Sequence, residues 1–166
     1  NISGILGAMS LPTSSPSIGV SRKLAEFLAT TRVEDLPGAV QHEAKRSLLN
    51  FFATALGGCR DVAVEHALQV VLPFAGAGQA RVIGRTERLD TLNAAFLNAI
   101  SANVFDFDDT HPGTVIHPSA PVAPALFALA ETRRMSGRQL LQAFALGVEV
   151  ECRIGNAVSP GHYARG

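Results

Sequence analysis

Ser47-Leu48-Leu49-Asn50-Phe51-Phe52-Ala53-Thr54-Ala55-Leu56-Gly57-Gly58 decides the fold. With Val40 and Ala44 ahead of it, the run places Leu48, Phe51, Phe52 and Ala55 at the three- and four-residue spacing of one helical face, and it lacks the strict alternation of a strand. Asp35 and Pro37 mark the start of that helix, and Gly57-Gly58 its end.

The same reading extends in both directions. Towards the N-terminus, Ser21 is expected to cap a helix carrying Leu24, Phe27 and Leu28 and ending near Thr31, after a flexible Pro- and Ser-rich lead-in over 1–17. Towards the C-terminus, a third helix is expected from Val62 to Leu72, stopped by Pro73, and then at most one short strand near 80–84. Asp90 caps a fourth helix bearing Leu92, Ala95, Phe96 and Ala99. Pro121 and Pro124 are expected in the first turn of a fifth helix running to about Arg134, with Arg133 and Arg134 at its negative end. The sixth is expected from Arg138 towards Val158, ended by Pro160-Gly161. Its Gly147 and Gly155 each cost about 1 kcal/mol against Ala, which predicts close backbone packing. With no repeat and no βαβ alternation, the chain reads as all-α: one antiparallel helical domain over 18–166.

Composition excludes several function classes. The 166 residues carry fourteen basic and fourteen acidic side chains, formal net charge zero, so there is no basic stripe for nucleic acid. A 47% hydrophobic content suffices for a core, yet charged or polar residues interrupt every apolar run before the roughly 20 residues of a membrane span. Cys59 and Cys152 are expected to be reduced packing thiols, which points to a reducing, cytoplasmic setting. The chain begins at Asn1 rather than Met, as an excised or processed piece would, and no basic residue precedes its first apolar stretch as in a signal peptide.

The densest chemistry lies between the fourth and fifth helices, in Asp106-Phe107-Asp108-Asp109-Thr110-His111-Pro112-Gly113-Thr114-Val115-Ile116-His117-Pro118-Ser119. Pro112 and Pro118 make it a loop. Asp106, Asp108, Asp109 and His111 are potential metal ligands, but their spacing matches no metal motif. An imidazole oriented by a carboxylate moves protons near neutral pH, and a hydroxyl can hold a substrate carboxylate. The residues alone equally allow aspartates that cap turns and histidines that pack locally.

Asp106-Phe107-Asp108-Asp109-Thr110, then His117-Pro118-Ser119 and Pro121, Pro124, Ala125, Ala128, Ala130 and Glu131, resemble the signature of the MmgE/PrpD family. That family holds 2-methylcitrate dehydratases, cis-aconitate decarboxylases and an iminodisuccinate epimerase. Ser47 to Gly58 resembles the family's second helix, where an Asp is common at the place of Asn50. Asn93 to Ala99 and Leu146 to Val150 resemble two later helices, so the likeness covers 18–166.

The resemblance implies the first part of a longer two-domain enzyme. The chain stops at Gly161-His162-Tyr163-Ala164-Arg165-Gly166, short of a family Trp-His pair and of later lysines, so this piece alone is expected to be inactive. By the same carry-over, His117 and Asp106 are the expected catalytic pair. Thr110, His111, Tyr163 and Arg165 are expected to contact substrate, Asp108 and Asp109 to cap the loop, and Arg85 to be a further cation for carboxylates. The interval from Thr110 to His117 is one residue longer than in the vertebrate decarboxylases. The implied chemistry is proton transfer beside a carboxylate of a small di- or tricarboxylic acid, with neither metal nor organic cofactor, in a cytoplasmic homodimer. Dehydration of the 2-methylcitrate type, in propionate metabolism, is the leading expectation. Cis-aconitate decarboxylation and iminodicarboxylate epimerisation are its alternatives, and a truncated, non-catalytic helical interaction module is the alternative of another class.

Overall fold

The helix expected from the opening stretch is present and contributes to the larger core. It runs Gly38–Gly58 as α2 and buries Val40, Ala44, Phe51, Ala55 and Gly58. The computed structural model describes residues 19–165; the lead-in expected over 1–17 lies outside them. The other helices are α1 (Val20–Thr30), α3 (Val62–Val71), α4 (Thr91–Asn103), α5 (Ser119–Thr132) and α6 (Gly137–Tyr163). The mainly helical expectation stands. The short strand is Ala80–Arg81 (β1), and it pairs antiparallel with Arg88–Leu89 (β2), a partner the sequence reading did not include.

Helix ends differ from expectation where capping differs. Gly19, extended at ψ 143, takes the N-cap place of α1, so Ser21 lies inside the helix and caps nothing. Asp61 accepts the Ala63 N–H to cap α3, and Asp90 accepts those of Leu92 and Asn93 to cap α4. These bonds favour the ionised form: led by the Asn93 side chain, they hold the Asp90 carboxyl down to about 2. Helix α5 begins at Ser119 because Asp109 caps it from outside, so Pro124 lies within the helix rather than in its first turn. Its end at Thr132 leaves Arg133 and Arg134 just beyond the last turn. Helix α6 passes Pro160 and ends at Tyr163, since a proline late in a helix deletes one backbone bond without forbidding those after it.

The larger core cluster joins α2, α4, α5 and α6 through Phe51, Ala102, Ala123, Phe144, Leu146 and Cys152. Phe127 stacks on Phe51 at 6.0 Å and meets Phe52 at 4.6 Å between ring centres. A second cluster, with Leu68, Val82, Leu89 and Leu97, seats α3 and the hairpin on α4 and α5. The expected close approaches in α6 are present. A Cβ on Gly147 would meet Val122 of α5 at 2.8 Å, and one on Gly155 would meet Thr114 and Ile116 of the signature loop at 3.1 and 3.3 Å. The floor of the signature loop is therefore α6.

Candidate active site

The loop from Asp106 to Pro118 leaves α4 through an Asp106 in left-handed backbone, φ 57. A short antiparallel bridge pairs His111 with Ile116, and Val115, at φ 58, closes the turn. The turn and its seat on Gly155 bring His117 back over the loop's entrance. There His117 Nε2 lies 3.3 Å from Asp106 Oδ1, and Nδ1 lies 3.1 Å from Asp108 Oδ1. Neither contact is a directed hydrogen bond, and Nδ1 is buried and lacks one. Asp108 is fully buried and takes Asn103 Nδ2 on both oxygens at 3.2 Å, whereas the Asp106 side chain is 82% exposed. His117 thus has one fixed carboxylate behind it and one open to solvent.

The expected catalytic pair is brought together, and Asp108, expected to be a loop cap, joins it. Asp109 does cap, accepting Ser119 N–H at 3.0 Å and Ser119 Oγ–H at 2.6 Å. His111 is buried, with Nδ1 2.8 Å from Thr114 Oγ1, and so also has a place in the loop's own packing. Thr110 is exposed and lines an adjacent cavity of about 360 Å³, with His111, Asp108, Asp109 and, from α2, Glu43, Arg46, Ser47 and Asn50. His117 and Asp106 are not in its wall. Asp108 is the residue shared by the histidine and the cavity.

The remaining expectations divide. Arg165 is exposed beyond α6, and Tyr163 is that helix's last residue. Arg85 is not at the site: it is buried between Glu65 and Glu87 on the far side of Cys59. The cation in the cavity wall is Arg46, which the sequence reading passed over. Its spacing from Glu43, Ser47 and Asn50 is a polar helical stripe that was there to be read. Glu151 of α6 was also passed over. Burial first, then the Asp109 charge, pushes its carboxyl up to about 7, and its Oε2 is buried without a partner. Burial, with Glu151, Glu149 and Asp109 around it, lifts the neighbouring Cys152 thiol to about 11, which leaves it a neutral packing group. Cys59 and Cys152 are both free and buried, as expected.

Asp106, Asp108 and His117 also bring one ligand atom each within 4.8 Å of one another, which makes them the set among the described residues able to approach a metal together. The donor set fits a divalent ion only in part, since Asp108 already takes Asn103 on both oxygens. None of the described helices is long and apolar enough to cross a membrane.

Comparison with known proteins agrees with the loop's reading. The chain is 30% identical to a cis-aconitate decarboxylase of Aspergillus terreus over 145 residues, 84% of this chain and 30% of that protein. It is 32% identical to the mouse (Mus musculus) cis-aconitate decarboxylase over 141 residues, 81% of this chain and 28% of that one. Against the cis-aconitate decarboxylase-like protein oryM of Aspergillus oryzae, identity is 29% over 157 residues, 90% and 33% of the two chains. The chain thus spans about a third of the length of the curated relatives it matches. The model of the MmgE/PrpD N-terminal domain matches residues 22–165, and the chain belongs to that family.

Proposed function

We propose that the chain is the first part of a lyase acting on a small di- or tricarboxylic acid, and that its reaction is a 2-methylcitrate-type dehydration. The observation that carries this reading is His117 set between Asp106 and Asp108. Elimination of water beside a carboxylate needs a group that takes a proton from carbon and a group that gives one to the departing hydroxyl. In this reading His117 takes the proton from carbon and, as the imidazolium, returns it to the departing hydroxyl, which leaves as water. Buried Asp108, 3.1 Å from Nδ1, stabilises positive charge as it develops, while exposed Asp106 passes the proton between ring and solvent or substrate. The Thr110 hydroxyl binds a substrate carboxylate, and His111 supports it from the buried side of the turn. Arg165 reaches the substrate only if it extends past the end of α6. The chemistry so described uses neither metal nor organic cofactor, and lysines outside these residues would supply further cations for the carboxylates.

Decarboxylation of cis-aconitate is the second reading, favoured by the names of the relatives. We also place the protein in the cytoplasm, as a homodimer; exposed Leu49 and Leu56 of α2 and Leu92 and Phe96 of α4 support association. The test is proton NMR of the full-length polypeptide with 2-methylcitrate and, separately, cis-aconitate. Loss of water from the first supports dehydration. Loss of carbon dioxide from the second, with the first untouched, moves the assignment to decarboxylation. Turnover of neither would remove both reactions and leave iminodicarboxylate epimerisation or a non-catalytic module.

A further inference from the structure

The α2 wall of the cavity carries a recognition chemistry of its own. Arg46 Nη1 is held by Glu43 one turn earlier, at 2.9 and 2.8 Å from the two carboxylate oxygens, while its Nε and Nη2 make no hydrogen bond among the described residues. The neighbouring Ser47 hydroxyl has no protein partner among them either, and Ser47 also lines the cavity. Asn50 Nδ2 donates to the Phe107 carbonyl at 3.1 Å. That bond fixes the amide's orientation, because the reversed amide would set two oxygens against each other. Asn50 Oδ1 is consequently left buried in the cavity wall with no donor. A buried acceptor without a donor is costly, and a ligand hydroxyl would satisfy it.

Each of the cavity's carboxylates already holds a protein partner. Glu43 is engaged by Arg46, Asp108 by Asn103, and Asp109 by Ser119. They do make an anion depend on Arg46, the guanidinium in a wall that otherwise repels it.

We propose that Arg46, Ser47 and Asn50 form a subsite for a hydroxy-carboxylate, in which Arg46 and Ser47 bind a carboxylate and Asn50 Oδ1 accepts the hydroxyl beside it. This rests on the dehydratase reading in one respect: a hydroxyl beside a carboxylate is what a substrate of that class carries.

Two probes separate the parts: citrate, which carries the hydroxyl, and tricarballylate, which has the same three carboxylates without it. Calorimetric titration of the full-length protein should show citrate binding roughly tenfold more tightly. Arg46→Ala should weaken both probes by roughly tenfold or more, with Arg46→Lys intermediate because charge survives and the fork does not. Asn50→Leu should abolish the preference while leaving tricarballylate binding within about threefold. Circular dichroism of each variant checks the fold. Equal binding of the two probes by the parent, binding of neither, or unchanged binding by Arg46→Ala would each overturn the subsite. Turnover of 2-methylcitrate on the same samples keeps the two ideas apart. Arg46-dependent binding without turnover removes the reaction and leaves the subsite; turnover indifferent to Arg46 does the reverse.

Discussion

Arg85 and His117 each sit between two carboxylates, and they differ in what the basic group can do. At the hairpin, Arg85 is buried and forks onto Glu65 at 2.6 and 3.1 Å, with Glu87 at 2.9 Å and the Cys59 carbonyl at 2.9 Å. Its hydrogen bonds hold the Glu65 and Glu87 carboxyls below the usual range, and they in turn push the guanidinium's proton loss still higher. Nothing there changes charge at any physiological pH, so the cluster clamps α3 to the hairpin. In the loop, the place of the guanidinium is taken by His117, which can be charged or neutral, and one of its two carboxylates faces solvent. Fixed charge gives a rivet; exchangeable charge gives a reagent.

The largest expected effect breaks the loop side of the contrast. His117→Ala in the full-length protein should lower kcat/KM by roughly a thousandfold or more while moving Tm by no more than about 2 °C. Steady-state kinetics beside calorimetry decides it, and near-normal turnover would take His117 out of the chemistry. Arg85→Ala should do the opposite, lowering Tm by roughly 5 °C or more through two stranded carboxylates while sparing turnover at low temperature.

Glu151 sharpens the contrast through pH. Its folded value of about 7 lies above the ordinary 4.5, so the fold favours its protonated form. That contribution is complete below about 4.5 and is lost as pH rises through about 7. Glu151→Gln should therefore gain stability over the parent as pH rises from 5 to 8, by about 1 kcal/mol once half-exposure is allowed for. A difference that stays flat with pH would mean that Glu151 ionises normally. Smallest is Asp109→Asn, which should cost about 1 kcal/mol at pH 5 through the α5 cap, and less at pH 8 because the charge facing Glu151 goes with it. Equal losses at both values in chemical denaturation would uncouple the two residues.

Much of this was legible in the sequence because it is periodic or local. The apolar face of α2, the Asp90 cap and the small residues Gly147 and Gly155 each announced their role. The signature loop stood out by its density of carboxylates and imidazoles, and the pairing of His117 with Asp106 followed from a resemblance. What was not legible depends on which element lies opposite. Asp108 and Asp109 are adjacent in sequence and equivalent in composition, yet the first turns to Asn103 and His117 and the second to Ser119. Arg85 looked available because its partners are twenty residues before it and two after it. Arg46 was hidden by an ordinary helical ion pair with Glu43, and the burial that lifts Glu151 exists only after α6 packs.

Val115 carries one more implication. A β-branched side chain at φ 58 sits in a conformation that a free peptide of this sequence would abandon, so the turn keeps its shape only while the His111–Ile116 bridge and the Gly155 seat hold it. The fourteen signature residues are therefore not a portable cassette. Grafted onto another scaffold without α6 beneath them, they would keep their chemistry and lose their arrangement, and His117 would no longer be delivered to its carboxylates.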